Sequence, residues 1–261
     1  MPSPLVEVER HGDIAVLALN RPQQRNAVDA SLARALGDAL EELDHEPSTH
    51  AIVVTGRGPA FCAGADLKAA ARGDNNLPEG LEHRGFAGIT THDLRTPTIA
   101  AVNGPARGGG TEIALACDLV VAAEDASFGL PEVTRGILAG AGGLIRLPHL
   151  IPPRIAMELA LTGDAITAEL AHRWGLVNEV VAAQALVSAA IGLGKRIARN
   201  APLAVEASRR LVRGVAFGRY PDEAAEWDAL RAARVEVFAS DDAKEGPMAF
   251  AEGRPPRWSG R

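Results

Sequence analysis

The chain has 261 residues, 47% of them hydrophobic and only 4% aromatic, so it can bury a sizeable core built mainly from Ala, Val, Leu and Ile. A formal net charge of −6 leaves no basic footprint for nucleic acid, and any anionic ligand would need local Lys and Arg. No apolar run reaches membrane-spanning length, Met1-Pro-Ser-Pro-Leu5 lacks signal-peptide regions, and Ser259-Gly-Arg261 is not a peroxisomal tripeptide. A cytoplasmic protein is expected, with Cys62 and Cys117 as two buried, unpaired thiols.

In chain order, Val6 to Arg10 and Ile14 to Leu19 alternate around Gly12-Asp13, which predicts a hairpin. Asp29 can cap a helix from Ala30 to about His45, with Leu32, Leu36, Leu40 and Leu43 on one face. The apolar run Ala51 to Thr55 reads as a buried strand. Through the turn Gly56-Arg-Gly-Pro59 it enters the loop Phe61-Cys-Ala-Gly-Ala-Asp-Leu-Lys68, whose small residues leave backbone N–H groups accessible. Residues 69 to 95 are polar, Gly-containing (Arg72-Gly-Asp-Asn-Asn, Glu79-Gly) and weakly periodic, predicting a mobile segment and then a helix into Arg95. Thr98 to Val102 is a strand leading to Gly108-Gly109-Gly110 and a short apolar helix, and Asp118 to Ala122 is a further strand. From about Ala182 the chain reads as helical, broken at Asn200-Ala-Pro202 and Arg219-Tyr-Pro221. Ser240-Asp-Asp242 caps a last helix carrying Met248 and Phe250.

The glycine triplet is the chemically suggestive feature. A helix N-terminus presents unsatisfied N–H groups and partial positive charge, which suits an oxygen that becomes negative during reaction. Glu112 falls in the first turn of that helix. Glu132 follows Pro131 on a short constrained connection, where partly apolar surroundings would raise its pKa. The plainer alternatives are a tight turn for the triplet, a helix-dipole role for Glu112 and a surface ion pair with Arg135 for Glu132. One backbone donor from each glycine loop would form an oxyanion hole. No histidine spacing suits a metal, and no serine-hydrolase, phosphate-loop or dinucleotide motif is present, so neither NAD nor ATP is indicated. Cys62 has no basic sequence neighbour to make it a nucleophile, and Asp118 looks structural.

Several segments in one order then become specific: Asn20-Arg-Pro-Gln-Gln-Arg-Asn-Ala-Val28, Phe61 to Lys68, Val102-Asn-Gly104 with Gly108-Gly-Gly-Thr-Glu112, Phe128-Gly-Leu-Pro-Glu132 and Gly136-Ile-Leu-Ala-Gly-Ala-Gly-Gly143. Leu161-Thr-Gly163, Trp174-Gly-Leu-Val-Asn178 and Ala249-Phe-Ala-Glu252 continue the pattern. Together they resemble the enoyl-CoA hydratase/isomerase (crotonase) family over nearly the whole chain. The resemblance implies an α/β fold: a spiral core of repeated strand–strand–helix units over residues 1–200, and a C-terminal helical region, residues 201–261, that builds a homotrimer or a homohexamer of paired trimers. It implies that the N–H groups of Ala65 and Gly109 hold the thioester oxygen, that Glu112 activates water, and that Glu132 protonates Cα. Ala63, Ala65, Asp66, Leu67, Lys68 and Gly109 would line the acyl-CoA thioester, with Lys68 near the CoA adenine and phosphates, although Asp66 reads more simply as bonding neighbouring backbone. No separate cofactor is implied, because coenzyme A is part of the substrate.

The leading expectation is a 2-enoyl-CoA hydratase yielding a 3-hydroxyacyl-CoA. Crotonobetainyl-CoA hydration (carnitinyl-CoA dehydration) and double-bond isomerisation are alternatives on the same fold. The stretch from Ser127 to Pro148, the following Ile-Pro-Pro and the closing Trp258-Ser-Gly-Arg261 resemble the crotonobetainyl-CoA branch as well as general hydratases. Two glutamates argue against isomerisation, since family isomerases usually keep one. A CoA-thioester-binding protein of low activity is the alternative from another class. Arg107, Ala139 and Gly253 depart from the common family pattern. Gly108→Ala is expected to be milder than Gly109→Pro.

Overall fold

The computed structural model describes residues 3–73, 80–213, 224–257 and 259. β1 (Val6–His11) and β2 (Ile14–Leu19) form the predicted hairpin, turning at Gly12 with φ +68°. Every residue of β2 is buried while β1 is largely exposed, which makes β1 the outer edge of the sheet. α1 (Ala30–His45) begins where the Asp29 carboxylate accepts from Leu32 N at 2.9 Å, and it buries Leu32, Leu36, Leu40 and Leu43 as the spacing predicts.

β3 (Ala51–Gly56), α2 (Leu67–Ala71), β4 (Thr98–Val102), β5 (Pro105–Arg107), α3 (Gly109–Ala116), β6 (Leu119–Ala123) and β7 (Ser127–Gly129) follow. After them come α4 (Gly143–Leu150), α5 (Pro153–Thr162), β8 (Ala165–Thr167), α6 (Ala168–Arg173), β9 (Glu179–Val181) and α7 (Leu186–Ala198). Six strands pair in the order β1-β2-β3-β4-β6-β9, parallel except at the first pair, and β5, β7 and β8 form a second sheet. β4 is wholly buried and β3 nearly so, because a parallel sheet is covered on both faces and its strands are mostly Ala, Val and Ile. The chain passes from the first sheet to the second between β4 and β5, and the glycine triplet follows β5 at the start of α3.

One expected element is absent. No α-helix runs into Arg95. Residues Glu82–Arg84 and Phe86–Gly88 make short 3₁₀ turns, separated by Gly85 at φ +69° and closed by Gly88 at φ +73°. Left-handed backbone at those glycines stops a right-handed helix from propagating. Positions 74–79 of that segment lie outside the described residues. Both cysteines are free and buried, and burial pushes each thiol up to about 12. No helix among the described residues is long and apolar enough to cross a membrane.

The helical tail comprises α8 (Pro202–Val212), α9 (Ala224–Ala239) and α10 (Asp242–Glu252). Asn200-Ala-Pro202 separates α7 from α8, and Ser240 Oγ caps α10 by accepting from Ala243 N at 3.1 Å, both as predicted. Gly253, a family departure, takes the left-handed position that ends α10. The Arg219-Tyr-Pro221 break, Val215, Trp258, Gly260 and Arg261 lie outside the described residues.

α8 is clasped to the core through Asp118, which stands just before β6. Its carboxylate accepts from Arg209 Nε at 2.8 Å, Arg213 Nε at 2.6 Å, Thr98 N at 2.8 Å and Thr98 Oγ1 at 2.9 Å. Burial alone would raise its pKa, but Arg213, Arg209 and Thr98 outweigh it and hold the carboxyl below the usual range. A depressed native pKa means that the clasp is fully present above the ordinary value of 3.8 and is lost only as pH falls through the lower native value. Asp118→Asn leaves two partly buried guanidiniums without their counter-charge and is expected to destabilise the protein by about 3–5 kcal/mol. Chemical denaturation reads the loss, and limited proteolysis should show α8 cut first.

Candidate active site

The loop from Phe61 to Lys68 is held by the Asn20–Val28 segment. Asn26, fully buried at φ +57°, donates through Nδ2 to Ala60 O at 2.9 Å and Phe61 O at 3.1 Å. Ala63 N donates to Arg25 O at 3.0 Å. Val28 N then donates to Gly64 O at 2.8 Å while Asp66 N donates to Val28 O at 2.9 Å. Successive peptide groups of an extended segment face opposite ways, so with Gly64 O and Asp66 N committed to Val28, the N–H of Ala65 faces away from it.

The second donor arises in the same manner. Arg107 N donates to Cys62 O at 3.0 Å and Gly108 N to Gly129 O at 2.9 Å, so Gly109 carries the first N–H of α3 not spent on these strands. The two loops touch: a Cβ on Gly64, at φ +88°, would lie 3.0 Å from Gly109 N. Gly110 has no room for a side chain against Cys62 O, and Gly109 is covered by the Phe86 ring, which a Cβ would meet at 2.3 Å. The geometry thus packs the Gly64 turn, which precedes Ala65, against Gly109, with the Phe86 ring covering Gly109.

Glu112 does not serve the helix dipole alone. It is 3% exposed, and its Oε1 crosses to the following loop, accepting from Ala141 N at 2.7 Å and Gly143 N at 2.8 Å. Glu132 stands on the 3₁₀ turn Pro131–Arg135 and makes no ion pair with Arg135, whose guanidinium lies 4.5 Å from the centre of the Phe250 ring. Oε2 of Glu132 is buried without a hydrogen-bond partner. Burial first, and the neighbouring Glu112 second, push the Glu132 carboxyl up to about 8. Burial also raises Glu112, against the pull of two backbone N–H groups and the Arg146 and Arg234 guanidiniums. The anion is therefore better held on Glu112 and the proton on Glu132.

Of the other residues expected at the site, Ala63 and Lys68 are exposed and Leu67 is half-buried at the start of α2. Asp66 has its carboxylate occupied: it caps α2 through Lys68 N and Ala69 N, both at 3.1 Å, and accepts from Arg21 Nη2 at 3.0 Å. Arg107 staples β5 to β7 through Ser127 O and Oγ, both at 3.0 Å. Sequence reasoning missed Phe86, though it is the only aromatic residue between positions 69 and 95. Arg21, which ties Asp29 to Asp66, falls in the Asn20–Val28 segment that carries the resemblance, which assigns it no role of its own.

A backbone donor pair beside an ionisable carboxylate and a protonated carboxyl can stabilise an enolate oxygen while one group removes a proton and the other supplies one. The model of the enoyl-CoA hydratase/isomerase family matches residues 9–261. The chain belongs to the enoyl-CoA hydratase/isomerase family. As a family member it is an enzyme of the hydro-lyase kind acting on CoA thioesters. It is 44% identical to a carnitinyl-CoA dehydratase of Citrobacter koseri over 259 residues, 97% of each chain. The crystal structure of a carnitinyl-CoA hydratase from Mycobacterium avium superposes with TM-score 0.96 at 50% identity, covering 100% of both chains. An enoyl-CoA hydratase structure from Mycobacterium tuberculosis gives TM-score 0.77 at 47% identity, covering 99% of this chain and 100% of that one.

Gly108→Ala, expected to be milder than Gly109→Pro, still meets an obstacle in the structure. Gly108 has φ +54° and ψ −124°, and a Cβ there would lie 2.8 Å from Glu132 Oε1. Strained backbone and a displaced carboxyl are expected to lower kcat by about 10²-fold, the scale of losing a positioned acid. Steady-state kinetics with far-UV dichroism separates that loss from unfolding.

Proposed function

We propose that the enzyme hydrates crotonobetainyl-CoA and, in reverse, dehydrates carnitinyl-CoA. The observation that carries the chemistry is the unequal pair of buried carboxyls beside two backbone donors. In this reading water attacks Cβ while Glu112 takes its proton. The alkene electrons shift to the thioester oxygen, and the N–H groups of Ala65 and Gly109 hold that enolate. The enolate then re-forms the carbonyl as Cα takes the proton of Glu132. Glu112 ends protonated and Glu132 ionised, and a proton returned between them resets the site.

The trimethylammonium head group rests on full-length similarity to proteins named for carnitinyl-CoA, in sequence and in structure alike. It displaces the general 2-enoyl-CoA hydratase as the leading reading. Lys68, exposed on α2, stays the candidate for the CoA phosphates. Crotonobetainyl-CoA and crotonyl-CoA compared side by side decide the head group. The expected outcome is a kcat/KM at least about tenfold higher for the cationic substrate, a difference of about 1.4 kcal/mol in transition-state binding. A reversed preference restores the general hydratase, and tight thioester binding without turnover makes the chain a binding protein. Glu112→Gln and Glu132→Gln should each lower kcat by at least about 10²-fold. Because Glu132 must be protonated to act, the rate should fall as pH rises through about 8.

The tail supports an assembly. Leu203, Leu211 and Val212 on α8 are 81%, 76% and 88% exposed, and Val235 and Phe238 on α9 add to the apolar surface. Covering it at about 25 cal/mol per Å² favours association, and closed symmetric oligomers are the usual outcome. A homotrimer or a hexamer of paired trimers is expected in sedimentation at micromolar concentration, where a fully active monomer would overturn this reading.

A further inference from the structure

The loop that holds Glu112 has two faces. On one, Ala141 N and Gly143 N donate to the carboxylate, and a Cβ on Gly143 would lie 3.1 Å from Glu112 Cγ and Oε1. On the other stand two arginines. A Cβ on Gly142 would lie 3.0 Å from Arg146 Nη1 and 3.1 Å from the Trp227 ring, and one on Gly140 would lie 3.4 Å from Arg234 Cδ. The Arg146 guanidinium, on a side chain that is largely buried, lies 5.6 Å from the centre of the Trp227 ring, where cation–π attraction fixes its position. Arg146 belongs to α4, whereas Trp227 and Arg234 belong to α9 of the tail.

We propose that Arg146 and Arg234 are positioning residues for Glu112, balancing its buried charge across the Gly140–Gly143 loop so that Glu112 is the base and Glu132 the acid. The inference rests on the two-carboxyl reading above and extends it: the tail completes the electrostatics of the active site. Several charged groups approach from the elements packed around Glu112. They are Glu132 on the 3₁₀ turn, Arg146 on α4 and Arg234 on α9; Arg107 on β5 and Arg84 beside the Phe86 turn have partners elsewhere. Arg107 is committed to Ser127, and Arg84 to Asp38 and Glu41. Glu112 opposes ionisation of Glu132, and the two guanidiniums across the loop favour ionisation of Glu112. The peptide N–H groups already favour the anion on Glu112 over Glu132, and the two guanidiniums add to that preference.

The test is the pH profile of Arg234→Gln and Arg234→Lys on the full-length enzyme. With the arginine neutralised, the acidic limb of kcat should move up by about one pH unit, with KM little changed. Lysine should restore most of the original limb. A limb that stays in place, or a lysine variant as impaired as the glutamine one, overturns the proposal. Arg234 is chosen over the more buried Arg146 because its variants are better placed to fold. Infrared titration of the Glu112 carboxyl in a Glu132→Gln background gives a readout that needs no turnover. Its midpoint should rise in Arg234→Gln, and an unchanged midpoint overturns the proposal. If the wild type hydrates no enoyl thioester, the hydration reading fails, while the infrared midpoint still decides the arginines.

Discussion

Two carboxyl groups buried against one another cannot both ionise freely, and much of the surrounding chain is arranged to decide which one does. Moving a carboxylate out of water costs several kcal/mol unless donors replace its hydration. Glu112 receives two backbone N–H bonds and Glu132 Oε2 receives none, so the pair is unequal before any substrate arrives. Holding that inequality takes close packing. Gly108 and Gly143 leave room for the two carboxyls because neither has a side chain. The turn carrying Glu132 is itself backed by α10, where a Cβ on Gly246 would clash with Arg135 O and Phe250 covers the Arg135 guanidinium.

The backbone donors answer to a different constraint. A free N–H must be aimed by spending its neighbours, and both loops do this with short parallel bridges, Val28 to Ala65 and Cys62 to Ala106. The bridges are too brief to count as strands in a sequence pattern, yet they set peptide orientation as firmly as a long ladder does. This is why Asn26 adopts a left-handed backbone: its side-chain amide gathers Arg57 O, Ala60 O and Phe61 O at the turn before the loop, and asparagine tolerates that conformation better than most residues. Cys62, buried with its thiol donating to Asn26 O, belongs to the same brace and not to the chemistry.

Legibility in the sequence followed the range of the interaction. The Asp29 cap, the leucine stripe of α1, the hairpin and the glycine triplet are local patterns and could be read directly. The clasp that docks α8 could not, because Asp118 meets Arg209 and Arg213 from 91 and 95 residues away. Nor could the arginines behind Glu112, since no spacing connects α9 to the loop it presses on. The helix expected before Arg95 failed for a local reason that was in view: Gly80, Gly85 and Gly88 all take positive φ. The family resemblance extended to the paired glutamates and the donor loops, and it left the head group of the acyl chain open because no single residue type encodes it.

The unequal pair also bears on the direction of reaction. Hydration and dehydration pass through the same enolate, so the group that gives a proton to Cα one way must take it back the other way. A carboxyl poised near 8 suits both duties at neutral pH, being protonated enough to donate yet not so strongly held that recovery of the proton is slow. An acid of ordinary pKa would be ionised before hydration began. A carboxyl buried in place of Glu112 without its backbone donors and counter-cations would be raised further and would compete for the proton meant for Glu132.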